Sequence, residues 1–261
     1  MCNALILSFL FFIGSMSGWV LELLFRRIAH GKWINPGFLT GPALPLYGTG
    51  LCFLYILSNI PLTSIEDPIL QNIARILLMT VVMTAIEYIA GLLFIKGMNI
   101  KLWDYSKRWG NIDGIICPLF SVIWGAVGAA YYYLVHPHIL QSLLWLSNNL
   151  AFSYFIGYFF GIFTLDLAHS LNITVKLRRF AKENRLVLRY EELKFHIREE
   201  QEKRHEKIHY VFPFRTEELS KTLERYRDKL KALTQKEEKE EKGTPPEGQT
   251  PPVLDDNNKR A

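Results

Sequence analysis

Glu22, Glu87 and Asp166 stand in or at the ends of long apolar runs, where a carboxylate costs ~2.5 kcal/mol or more to place in lipid. Such a group needs a donor partner, a wet cavity or a proton. Thr80, Thr84, Glu87 and Gly91 recur at intervals of 4, 3 and 4 and so share one helix face. Glu22 lies one turn before Arg26, a spacing for a local ion pair that is either structural or part of a site. Asp166, His169 and Ser170 share a face, as a proton relay or, the favoured reading, as an anchor. Asp104, Tyr105 and Ser106 in W-D-Y-S, with Asn111 and Asp113 in N-I-D-G, are residue types that cap a helix start or ligate something polar beside it.

No motif for covalent chemistry accompanies these groups. H-E-x-x-H, G-x-S-x-G and D-D-x-x-D do not occur in the first 171 residues, and G-x-x-x-x-G-K-[ST] does not occur in the chain. The carboxylates permit a membrane enzyme acting on lipid or isoprenoid substrates, but the expectation is a non-enzyme with no catalytic residue, no cofactor and no ATPase of its own. Cys2, Cys52 and Cys117 are odd in number and lack metal-ligand spacing, so they read as small apolar residues rather than a metal or disulfide set.

The elements that must position the acids follow from charge. Of 30 Lys and Arg, only 8 fall in the first 171 residues, with 7 of the 25 Asp and Glu. Residues 1–171 therefore form a membrane domain. Apolar runs near 4–25, 43–60, 73–95, 114–135 and 146–170 are long enough for about five crossings of ~30 Å of hydrocarbon. The second is short enough to be re-entrant or tilted instead. The fold class is all-α: a polytopic helix bundle. Arg26, Arg27 and Lys32 follow the first run, and Lys96, Lys101, Lys107 and Arg108 follow the third, which assigns these loops and the tail to the cytoplasm and the N-terminus to the outside. The arginines behind the first run make it a reverse anchor rather than a cleaved leader. The expected location is a bacterial plasma membrane.

Small residues recur four apart at Gly14 and Gly18, at Ser121, Gly125 and Ala129, and at Ser153, Gly157 and Gly161. They are expected as helix-packing seams, within a compact bundle or between copies.

Between the first two runs lies W-I-N-P-G-F-L-T-G-P-A-L-P-L-Y-G-T-G, residues 33–50. Its three prolines and four glycines stop a helix, yet it stays apolar. Irregular backbone at membrane depth survives only when buried in protein or lining a wet cavity. This loop is accordingly expected to fold inward and meet Glu22, Glu87 and Asp166 in a polar cavity open to the inside. Asn35, Gly37, Gly41 and Tyr47 join those acids, Asp104, Tyr105 and Asn111 as the cavity or substrate candidates.

The N-P-G-F-L-T-G-P-A-L-P-L-Y-G-T-G loop, Glu87, W-D-Y-S and N-I-D-G-I-I-C-P-L-F-S-V-I-W-G, in that order, resemble the bacterial ABC-transporter type IV, or CmpB-like, membrane proteins over residues 5–170. Pro36 and Ile115 stand where that pattern leads one to expect arginine. The resemblance implies a permease-like transport role, with a separate ATPase subunit as partner.

Residues 172–234 are rich in Lys, Arg and Glu, with Leu186, Tyr190, Leu193 and Ile197, then Leu219, Leu223, Tyr226, Leu230 and Leu233, at heptad spacing. A cytoplasmic helical hairpin or coiled coil is expected there, and a disordered tail over 235–261. Its basic start suits a lipid headgroup surface, while its mixed charge does not suit nucleic acid. The competing function is a non-transporting scaffold that recruits partners through this tail.

Overall fold

The computed structural model describes residues 3–31, 33–98, 100–183, 188–190, 192–194 and 227–228. Helix α1 (Asn3–His30) is followed by a short α2 (Pro45–Ser58), a long α3 (Pro68–Met98), α4 (Pro118–Ala130), a π-helical turn over Tyr131–Val135, α5 (His136–Asn148) and α6 (Ser153–Glu183). Four helical stretches, Asn3–Ala29, Pro68–Met98, Pro118–Asn148 and Leu150–Phe180, are long and apolar enough to cross a membrane. The fifth expected crossing is α2. Its 14 residues measure about 21 Å, short of the ~30 Å hydrocarbon core.

Proline punctuates the starts. Pro45, Pro68 and Pro118 open α2, α3 and α4, where the missing N–H would have had no helical partner. Pro137 sits just inside α5 but does not end the helix. The π-helical turn immediately before it re-spaces the backbone bonds that a proline cannot make, so α4 and α5 run on as one span. The segment expected as an outer loop from residue 136 is therefore helical to Asn148, and the reversal falls at Asn149–Phe152.

The core is apolar: Phe9 and Leu10 of α1, Leu54 and Leu57 of α2, Met79 and Met83 of α3, Leu143 and Leu146 of α5, and Ile156 of α6 are all buried, and Trp124 of α4 packs against them. The α1–α2 pair packs most tightly. A Cβ on Gly14 would lie 2.9 Å from the Leu51 Cβ, and one on Gly48 would lie 2.8 Å from the Phe11 carbonyl oxygen, so these helices approach backbone to backbone as small residues permit. The α6 seam is different. Gly157 and Gly161 have no neighbouring atom within 4 Å of a built Cβ, and Tyr154, Tyr158 and Leu165 beside them are exposed. Of the two places expected for the α6 seam, within the bundle or between copies, the first does not hold: the face is open, because the helix turns its Ile156 side to the bundle.

Beyond residue 171 the helix does not break: α6 continues to Glu183, with Ile173 and Leu177 buried. Leu188–Arg189 then form a short strand, β2, paired in parallel with β1 (Ile100–Lys101). Tyr190 and Leu193, two of the expected heptad positions, are buried at 3% and 0% exposure. Tyr190 reaches back to loop one, where its hydroxyl donates to the Phe38 carbonyl at 3.4 Å. The remaining seam residues and the 235–261 tail lie outside the described residues. In the second compact unit, Glu218–Ala261, Arg227 and Asp228 are described, with Arg227 Nε donating to Asp228 at 3.0 Å.

Candidate functional site

Loop one, residues 33–44, folds back along α1. Its last amide, Leu44 N–H, donates to the Ser15 carbonyl at 3.1 Å, and α1 runs 15 residues past Ser15, about 22 Å. Ile34, Leu39, Ala43 and Leu44 are buried. An irregular backbone at that depth must find its own hydrogen bonds, and two sets of side-chain partners supply several of them.

Asp166 of α6 supplies the first set. Its Oδ1 accepts from Thr40 N–H at 3.1 Å and from the Thr40 hydroxyl, and its Oδ2 accepts from Gly41 N–H at 3.0 Å. Ser170, one turn on, completes the cradle: its hydroxyl lies 3.2 Å from Thr40 N and donates to Asp166 at 3.3 Å. Gly41 is required by proximity, since a Cβ there would stand 2.9 Å from Oδ2. Asp166 and Ser170 thus bond loop one to α6. His169 is exposed and takes no part.

Asn35 supplies the second set from within the loop. Its amide donates to the Leu39 and Thr40 carbonyls at 3.1 and 2.9 Å, while its side-chain oxygen accepts from Trp19 Nε1 of α1 at 2.6 Å. Gly37 has φ +71°, in the region that favours glycine. Lys194, 3% exposed, donates to the Asn35 carbonyl at 2.8 Å and to that of Gly37, and its ammonium lies 4.6 Å from the Tyr190 ring centroid. Sequence reasoning missed Trp19, Thr40, Tyr190 and Lys194. The signals were an indole N–H inside a span and a lysine on an apolar seam.

The other acids have their own partners. Glu22 accepts from Arg26 Nε at 3.2 Å and from the Tyr47 hydroxyl at 3.1 Å, so the expected local pair is real and ties α1 to α2. Glu87, 4% exposed, accepts from the Tyr105 hydroxyl at 3.1 Å and from Trp124 Nε1 of α4 at 2.8 Å. Burial, then the charge on Glu87, pushes the Tyr105 hydroxyl well above the ordinary tyrosine range, so it stays a donor at neutral pH. Its ring stacks on Phe120, 4.2 Å between centroids at 10°. Of the acids expected to meet the stretch 33–50, Asp166 bonds Thr40 and Gly41, Glu22 bonds Tyr47, and Glu87 lies within electrostatic range of Tyr47 while it clamps α3, loop three and α4.

Loop three, residues 102–117, is knotted by its own atoms. Asp104 accepts from Ser106 N–H at 3.0 Å and from Lys101 at 3.5 Å. Asn111 donates to the Ser106 and Arg108 carbonyls at 3.2 and 2.8 Å and accepts from Gly114 N–H at 3.1 Å. Asp113 and Gly114 take φ of 54° and 66°, and Trp103 Nε1 donates to the Ile115 carbonyl at 2.9 Å. The start of α4 instead has Cys117 as its capping residue, with no side-chain bond, and Pro118 behind it. Asp104, Asn111 and Asp113 therefore do not cap α4; the loop's own amides occupy the first two, and Asp113 accepts from Tyr88 at 3.0 Å. Among the described residues, no group of three His, Cys, Asp or Glu side chains is placed to hold a metal ion.

Four apolar span-length helices, buried carboxylates on indole and phenol donors, and an inward-folded loop define a polytopic helical membrane protein. A family model described as "Putative ABC-transporter type IV" matches residues 9–171, and the chain belongs to that family. No curated protein and no solved structure matches it.

Proposed function

We propose that this chain is a permease-type subunit of an ABC-transporter assembly, working with a separate nucleotide-hydrolysing partner and performing no chemistry itself. Loop one carries the proposal: a non-helical segment set about 22 Å back along α1 and held by Asp166 and Asn35 is the discontinuous backbone on which membrane transporters build their substrate paths. The N-terminus lies outside and the C-terminus in the cytoplasm, with the Arg26/Arg27 end of α1 facing in. Lys194 and Tyr190 then join the cytoplasmic segment to the loop from the side where an ATPase would dock. Purification of the full chain from its native membrane tests this: co-purifying ATPase, whose turnover falls in Asp166→Ala, is the expected result. Partners confined to the tail, retained after Asp166→Ala, would instead establish the scaffold reading, favoured by the same contact of residues 190–194 with the bundle.

A further inference from the structure

At the end of the bundle where α2 meets α3, the structure holds a buried cation of a different kind. Arg75 of α3 is 8% exposed. Its Nη1 donates to the Leu57, Ser58 and Ile60 carbonyls at 2.8, 2.7 and 3.0 Å, closing the C-terminal end of α2, where cations are favoured. That accounts for one nitrogen of the guanidinium. The Nε–H is buried and has no partner among the described residues, and a buried donor left unmade is destabilising. No described carboxylate forms an ion pair with Arg75; Asp67, at the start of α3, is engaged by Ile69 N–H at 2.7 Å.

The surroundings are neutral donors and rings. The guanidinium carbon lies 5.4 Å from the Tyr132 ring centroid. Tyr131, 3% exposed, shares a hydrogen bond with His136 Nδ1 at 3.1 Å, and the His136 ring lies 6.3 Å from that of Tyr132 and 6.0 Å from that of Tyr55. All three partners on the α4–α5 span fall in or beside the π-helical turn, which widens the helix and re-aims side chains, a device concentrated at functional sites. A cation in a span, with one buried donor unpartnered, His136 within electrostatic range and no ion pair to a described carboxylate, is an anion-receiving arrangement.

We infer that Arg75, Tyr132 and His136 form a binding site for a small oxyanion, a carboxylate or phosphate group, separate from loop one and independent of the transport proposal. The group accepts from Arg75 Nε, while the Nη1 cap on α2 stays in place. Either a free solute or a lipid headgroup carries this chemistry. The test is thermal unfolding of the full chain in nanodiscs of zwitterionic lipid, titrated with sodium acetate or phosphate against chloride at equal ionic strength and low millimolar concentration. The expected result is a saturable rise on the order of 3 °C in wild type, lost in Arg75→Lys and reduced in His136→Ala. Lysine offers three donors to the α2 carbonyls but no Nε fork, so it separates the site from the cap. A rise seen only when anionic lipid is added, and lost in the same variants, assigns the group to a headgroup. No saturable rise under either condition, or an equal rise in wild type and both variants, overturns the site and leaves Arg75 as a helix cap.

Discussion

Loops one and three are both irregular, and both adjoin the final turns of α3: Phe38 of loop one packs on Phe94 at 4.9 Å, and loop three follows α3 after the short strand β1. They are stabilised in opposite ways. Loop three satisfies its backbone from within, through Asp104, Asn111 and the Ile112–Ile116 bridge. Loop one depends on residues 125 or more positions away, Asp166, Ser170 and Lys194, for the amides and carbonyls that Asn35 does not reach. A locally satisfied loop is a fixed part. One held by distant elements responds when those elements move, and α6 runs on from the loop-one cradle to Glu183.

The largest break in that contrast is expected from Asp166→Ala, which orphans the Gly41 amide and leaves the Thr40 amide on Ser170 alone. A loss of about 2–4 kcal/mol in unfolding free energy, with hydrogen exchange rising across residues 38–44 and unchanged in loop three, checks it. Glu87→Gln comes next. A neutral amide keeps one acceptor for two donors, so about 1–2 kcal/mol is lost, loosening appears at Tyr105 and Trp124, and transport falls while membrane insertion is intact. Lys194→Met is expected to cost about 1 kcal/mol by leaving the Asn35 and Gly37 carbonyls short of a donor, and the increase in exchange should stop at loop one. The smallest effect belongs to Asp104→Asn, about 0.5 kcal/mol or less at an exposed pair, confined to loop three; spread to loop one would dissolve the distinction between the two.

What was legible in the sequence divides along the same line. Interactions closed within a turn or two were visible: the Glu22–Arg26 pair, the Gly14 and Gly18 approach, and a proline-rich stretch that cannot be helix. Asp166 could be read as an anchor but not assigned its partner, because 125 residues separate it from Gly41. Heptad spacing at Tyr190 and Leu193 marks an apolar face without saying what it meets, and Tyr190 here reaches the Phe38 carbonyl of loop one. Gly157 and Gly161 teach the converse, since a small-residue stripe has the same spelling whether it is packed or open. The apolar run ending near residue 135 gave no sign of the π-helical turn at Tyr131–Val135 across which α4 continues into α5.

Cysteine accessibility at Leu39 and Ala43, 2% and 5% exposed, tests the central claim most directly. Single cysteines at these positions, in a background where Cys2, Cys52 and Cys117 are replaced, would be exposed in native membranes to a bulky aqueous maleimide. The inward-folded loop predicts little or no labelling in the otherwise intact chain and rapid labelling once Asp166→Ala is added. Full labelling without that change would contradict it.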